Sequence, residues 1–83
     1  MPFSIDNNLL PIQIESVSSI GSILAIRRYE LFMTQQQVAD LAGISLRNLK
    51  QIEAGTANPG LQPLLRLLYV LGLQLTLDKR SSV

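Results

Sequence analysis

The chain contains no cysteine and no histidine. These absences remove thiol nucleophiles, the usual zinc ligands and the commonest general base in proteins. An enzyme made from this chain would depend on carboxylates alone, and its six Asp and Glu residues show no clustered spacing. A glycine-rich phosphate-binding loop is also missing. We therefore expect a protein that is not an enzyme and that has no metal site and no cofactor.

Long apolar runs are lacking as well, because Arg, Gln or Gly interrupts each stretch well short of the roughly 18–20 residues that a membrane span needs. The N-terminus has no basic-then-apolar export signal, so we expect a cytoplasmic protein. Charged residues are scarce too, at 16% of the chain. Seven Lys and Arg against six Asp and Glu give a net charge of only +1. A nucleic-acid function would therefore depend on where the charges lie.

The length of 83 residues predicts one domain, whose 47% hydrophobic content allows a core with little surplus stability. We divide the chain into an N-terminal arm (1–18), a central domain (19–72) and a C-terminal segment (73–83). Prolines at positions 2 and 11 exclude a continuous helix in the arm. The alternation of residues 12–15 leaves two interpretations open, a short strand or a floppy arm.

Residues 34–54 predict two short amphipathic helices joined by a glycine turn. Thr34 and Gln37 have the spacing of a capping box, so the first of these helices begins at Gln35. Gly43 stands where a left-handed residue ends that helix. The inward stripe, with the spacing i, i+3, i+4, consists of Val38, Leu41 and Ala42.

The second helix of the pair is capped by Ser45 and is predicted to run to about Ala54. One face of this helix carries Leu49, Ile52 and Glu53. The other side carries Arg47, Lys50 and Gln51. A glycine-linked helix pair whose second helix displays basic and amide groups outward is typical of a helix-turn-helix and indicates DNA binding.

A helix before this pair is predicted to begin near residue 18 or 19, and its core-facing line ends in the charged Arg28. Burying such a charge alone is costly, so it needs a partner. Glu53 has the same problem on the inward face of its own helix, and we predict an ion pair between Arg28 and Glu53. Arg27, one step round the helix, is predicted to face phosphate or solvent.

A fourth helix is predicted from Leu61 to Leu71, with Pro63 in its first turn, and it is apolar nearly all round. Residues 73–77 then alternate, which is the pattern of a half-buried strand. This strand must pair with residues 12–15, with the same strand of a second copy, or with both. Because a monomer would expose a large apolar patch, we expect a two-fold dimer. The leucines of the dimer strand are Leu73, Leu75 and Leu77.

Residues 19–72 resemble the Cro/repressor family of helix-turn-helix proteins, of the xenobiotic-response-element type. The resemblance rests on Gln35, Ala39, Gly43, Leu49, Ile52 and Glu53, and on Glu53-Ala-Gly55 followed by Asn58-Pro59. It implies a mainly α, lambda-repressor-like domain of four to five elements. Many members close with a fifth helix, which the predicted short C-terminal β-strand would replace here. That departure resembles the small HipB-like antitoxins, whose dimers share such a strand.

The likeness to HipB-like antitoxins also implies a function. Those proteins repress their own operon and hold a HipA-type kinase toxin, so the resemblance implies a homodimeric repressor of an inverted repeat with a HipA-like kinase as partner. Two alternatives stay open. One is a stand-alone or phage-type regulator without a toxin, and the other is a protein-interaction module that uses the helix-turn-helix as a scaffold.

Residues at the exposed start of a recognition helix contact base edges in the major groove. Arg47 is predicted to bind guanine and Gln51 to bind adenine, each through two hydrogen bonds. Lys50 and Ser45 are further base-contacting candidates. Leu46 either touches a thymine methyl or packs onto the preceding helix.

Phosphate contacts are predicted beside this row of base-contacting candidates. Gln35 is placed to donate to a phosphate together with the open N–H groups of its helix. Asn48 and Thr56 either contact phosphate or serve as solvent-facing or turn-capping residues. Arg27 is the fourth candidate.

Overall fold

The computed structural model describes residues 12–80, and within that range the chain forms four α-helices. In chain order these are α1 (Val17–Glu30), α2 (Gln35–Ala42), α3 (Leu46–Glu53) and α4 (Leu61–Val70). The mainly α class is therefore confirmed. None of the helices in this range is long and apolar enough to cross a membrane. Residues 1–11, most of the predicted N-terminal arm, lie outside the described residues, as do residues 81–83.

The predicted capping groups start α2 and α3. Gln37 N lies 3.0 Å from Thr34 Oγ1 and Thr34 N lies 2.8 Å from Gln37 Oε1, so both halves of the capping box are present. Gly43 ends α2 in the left-handed region, at φ 71°. Ser45 Oγ then accepts a hydrogen bond of 3.0 Å from Asn48 N at the start of α3. The left-handed Gly43 and the side-chain cap of Ser45 thus set the two ends of the turn between α2 and α3.

Two helix boundaries differ slightly from the prediction. α1 begins one or two residues earlier, because Ser16 is the serine that caps it and accepts a hydrogen bond of 3.2 Å from Ser19 N. α4 ends one residue earlier, because the backbone of Leu71, with ψ 3°, is no longer α-helical. Differences of this size are common at frayed helix ends.

The hydrophobic core forms where α3 packs against α1 and α2, and where α2 packs against α4. Its buried members are Leu24, Val38, Ala39, Ala42, Leu49, Ile52, Leu67 and Leu71. α1 and α3 approach each other closely at Gly21, where an added Cβ would collide with the backbone carbonyl of Ile52. The distance between these helices therefore requires a glycine at position 21.

The predicted inward stripe of α2 is wrong at Leu41, which is 67% exposed. Ala39 is fully buried in its place, together with Val38 and Ala42. The physical reason is that α2 packs against α3 and α4 at once, so its buried face is set by two neighbours and is displaced from the stripe that periodicity alone selects. Leu41 instead borders an open groove beside Leu65 of α4.

Residues 73–77 do not form a strand within the single chain. They have no regular secondary structure, and the same is true of residues 12–15, so the predicted pairing between these two segments is absent. Leu73 N still donates to Leu68 O at 2.8 Å at the end of α4, but Leu77 is 94% exposed. A lone strand leaves its backbone groups unpaired, and nothing within residues 12–80 supplies the missing edge.

Candidate nucleic-acid interface

Helix α3 has one buried side and one solvent-facing side. Leu49 and Ile52 are fully buried and attach the helix to the core. The exposed residues of the opposite side are Arg47, Lys50 and Gln51. Their side chains form no hydrogen bond or ion pair with another residue between positions 12 and 80. The side that the sequence predicted to contact bases is therefore free to accept a ligand.

An ion pair fixes the end of α3 to α1. Arg28 Nε lies 2.8 Å from Glu53 Oε2, and Arg28 Nη2 lies 2.9 Å from Glu53 Oε1, which makes the pair bidentate. The two side chains are only 8% and 7% exposed. The hydrogen bond to Glu53 raises the pKa of Arg28 above its ordinary value. A third bond runs from Arg28 Nη1 to Met33 O at 3.0 Å.

Gln35 joins the same network from α2. Its Nε2 donates to Glu53 Oε1 at 3.0 Å, so one carboxylate receives hydrogen bonds from both α1 and α2. The side chain is half-buried. Gln35, predicted as a phosphate contact, is therefore engaged inside the protein through one amide hydrogen, which sets the position of the α2 start relative to α3.

The first turn of α2 keeps backbone donors unused. An α-helix leaves its first N–H groups without a helical partner, and the Thr34 side chain takes only that of Gln37. The N–H groups of Gln35 and Gln36 have no protein acceptor among the described residues. These two groups point out of the positive end of a helix and are suited to an anion.

Arg27 lies elsewhere than predicted. The sequence directed it toward phosphate or solvent, but its Nε donates to the Leu71 carbonyl at 2.8 Å and its Nη1 lies 3.5 Å from Glu30 Oε1. The C-terminal carbonyls of α4 lack helical partners, and the guanidinium satisfies one of them. Arg27 thus ties α1 to the end of α4.

The remaining candidates for DNA contact lie at the two ends of α3. Thr56 Oγ1 donates to Gln51 O at 3.2 Å, which is the turn-capping role. Leu46 and Asn48 are half-buried at the start of α3, and Ser45 is exposed. Of these four residues, Leu46 and Asn48 are the sequence neighbours of Arg47 in the exposed row, and Ser45 precedes them as the N-cap of α3.

Two features of the site were not found from the sequence. Arg66 Nε donates to Ala42 O at 2.9 Å and so attaches α4 to the end of α2, just before the glycine turn. Arg66 is the single charged residue of the largely apolar α4, and nothing in the sequence marks its acceptor. Phe32, in the turn before α2, has φ 56° and is 95% exposed. The segment between α1 and α2 contains no glycine, and this was the only sign in the sequence that another residue would adopt a positive φ there.

The described residues present groups that are suited to binding. Within residues 12–80, no three Asp or Glu side chains lie together in a way that would hold a metal ion. The polar cluster that joins Arg28, Gln35 and Glu53 is satisfied by bonds among its own members. What is presented outward is a row of basic and amide groups on α3 and a pair of N–H donors on α2.

Comparisons with known proteins agree with this geometry. A search of curated proteins finds no match. The model of a helix-turn-helix family matches residues 23–77, well over half of the 83-residue chain, and these residues include all of α2, α3 and α4. The chain belongs to this Cro/C1-type helix-turn-helix family of DNA-binding, non-enzymatic domains.

Proposed function

We propose that this protein is a transcriptional repressor that binds a specific operator as a homodimer, with one α3 helix in the major groove of each half-site. The observation that carries the proposal is the two-sided character of α3. Its buried Leu49 and Ile52 hold it rigidly, while its basic and amide side chains have no partner among the described residues. The family match supports DNA as the ligand.

Base contacts are assigned to the outer row of α3. A guanidinium donates to guanine O6 and N7 together, which suits Arg47, and an amide bonds adenine N6 and N7, which suits Gln51. Lys50 and Ser45 serve as further base contacts. Leu46 supplies apolar contact with a thymine methyl from its half-buried position at the helix start.

Phosphate contacts are assigned to the start of α2. The unused N–H groups of Gln35 and Gln36 and the second amide hydrogen of Gln35 donate to one phosphate. Asn48 and Thr56 are supplementary contacts on either side of the exposed row. Arg27 is not included, because its guanidinium is occupied by the end of α4.

Dimerisation is assigned to residues 73–77. Leu75 and Leu77 are exposed in one chain, whereas Leu73 is partly buried against the core. Pairing with a symmetry mate would satisfy both backbones and cover the exposed apolar groups. A two-fold dimer of this kind sets its recognition helices about 34 Å apart, which is one turn of DNA. The operator is then an inverted repeat.

The partner is proposed to be a HipA-like kinase toxin, which makes this repressor an antitoxin. Support comes from the likeness to HipB-like antitoxins and from exposed apolar side chains that are not among the proposed DNA contacts. Leu41, Leu61 and Tyr69 are all exposed on α2 and α4. Co-purification with the product of a neighbouring kinase-like reading frame tests this role. A stand-alone regulator would co-purify with no kinase.

Selection from a random-sequence duplex pool tests DNA recognition itself. Wild-type protein is incubated with the pool, bound duplexes are recovered and amplified, and the cycle is repeated. We expect enrichment of an inverted repeat whose half-sites are centred about 10 base pairs apart. A pool that stays random after repeated cycles would favour a protein-interaction module.

A further inference from the structure

Phe32 occupies an unusual position between α1 and α2. It is the single residue other than glycine with a positive φ between positions 12 and 80, at 56°. Its ring is 95% exposed and packs on no core residue. A side chain with Cβ disfavours the left-handed region, and glycine or asparagine would occupy it more easily. Core packing therefore does not account for a phenylalanine at this position.

The surroundings of Phe32 show what the ring faces. It borders an open groove whose other walls include Tyr29, Thr34 and Gln35, so it stands beside the first turn of α2. Tyr29 is exposed as well, and its ring lies 4.5 Å from Arg28 Cζ. An apolar patch thus adjoins the two unused N–H groups at the positive end of a helix.

We infer that Phe32 is an affinity-determining residue of the DNA interface, packing its ring on the deoxyribose edge next to the phosphate that α2 binds. This inference rests on the proposed DNA-binding function. In a helix-turn-helix the first helix of the pair crosses the DNA backbone, where apolar sugar surface alternates with phosphate. The combination of an exposed ring with open N–H donors complements that alternation, whereas an apolar protein mate would leave the donors unpaired.

A contact between Phe32 and deoxyribose can be told apart from other DNA contacts, because the sugar is the same in every DNA sequence. Loss of the ring should weaken specific and non-specific binding by the same factor. It should also leave the salt dependence unchanged, since an apolar contact releases no counterions. These two properties separate a sugar contact from a base contact and from a phosphate contact.

The test uses Phe32→Gly and Phe32→Asn, which accept the positive φ, and Phe32→Leu, which keeps apolar surface. Binding is titrated on the duplex selected by the wild-type protein and on a scrambled duplex of equal composition. We expect about a tenfold loss for the Gly and Asn variants on both duplexes, a smaller loss for Leu, and parallel plots of log K against log salt. Thermal melting should show the Gly and Asn variants at least as stable as wild type.

Several results would overturn the inference. Unchanged affinity of the Gly variant for DNA that the wild type binds would leave the ring without this role. A loss confined to the selected duplex would assign Phe32 to base contact, and a change in dimer dissociation by sedimentation would assign it to a second copy. Failure of the wild type to bind either duplex is a different result, because it removes the proposed function itself.

Discussion

At the scale of single residues, the Glu53 carboxylate connects three helices. It accepts hydrogen bonds from Arg28 on α1 and from Gln35 on α2 while lying at the last residue of α3. Its position decides how α3 is held against the start of α2. We therefore expect stability and the proposed DNA binding to depend on the same buried carboxylate.

Replacing Glu53 with Ala should lower the free energy of unfolding by about 3–5 kcal/mol, because it leaves a buried guanidinium without its partner. Glu53→Gln is the matched control, since it keeps an acceptor of the same size and should cost less. Chemical denaturation measures both. An Ala variant as stable as wild type would mean that the pair contributes nothing to the fold.

Replacing Arg47 with Ala should cost about 1–3 kcal/mol of binding free energy and relax the preference at one base pair in each half-site. Lys79→Ala removes an equal charge from the exposed C-terminal segment and should leave base preference intact. Titration against a series of singly mutated operators measures both variants. Uniform weakening by Arg47→Ala on every sequence would place this side chain on phosphate.

At the scale of helices, the contact between α1 and α3 depends on Gly21. Replacing Gly21 with Ala puts a Cβ against the carbonyls of Ile52 and Glu53, so the helices must separate. We expect a loss of about 1–3 kcal/mol in the free energy of unfolding, typical of overpacking. The exposed neighbour provides the control, since Ser22→Ala should change stability by no more than about 0.5 kcal/mol. Equal effects of the two variants would contradict the close approach.

Features set by nearby residues could be predicted from the sequence. The capping box, the glycine turn and the Ser45 cap are local, and the ion pair followed from two charges that each needed a partner. The exposure of Leu41 could not be predicted, because two neighbouring helices together set the buried face of α2. Arg27 was misplaced for a similar reason, since its acceptor is a carbonyl 44 residues away and no side-chain pattern marks it.

At the scale of the whole molecule, the unpaired segment 73–77 is the proposed reason for dimerisation. Deleting residues 73–83 should abolish both dimer formation and operator binding, whereas deleting residues 78–83 alone should preserve both. The double variant Leu75→Lys with Leu77→Lys tests the same point at full length, because both side chains are exposed in one chain. Analytical ultracentrifugation measures the outcome. A dimer that survives these changes has its interface on α4 or on the N-terminal arm.

The central claim is that two copies of α3 bind base pairs in an inverted repeat. The most direct measurement is a titration of the wild-type protein against the selected duplex and against a duplex in which one half-site is scrambled. We predict two chains per intact duplex and a loss of about 100-fold or more in affinity when one half-site is scrambled, because specific binding typically exceeds non-specific binding by about 10³ or more. Equal affinity for the intact and scrambled duplexes, or one chain bound per duplex, would contradict the account.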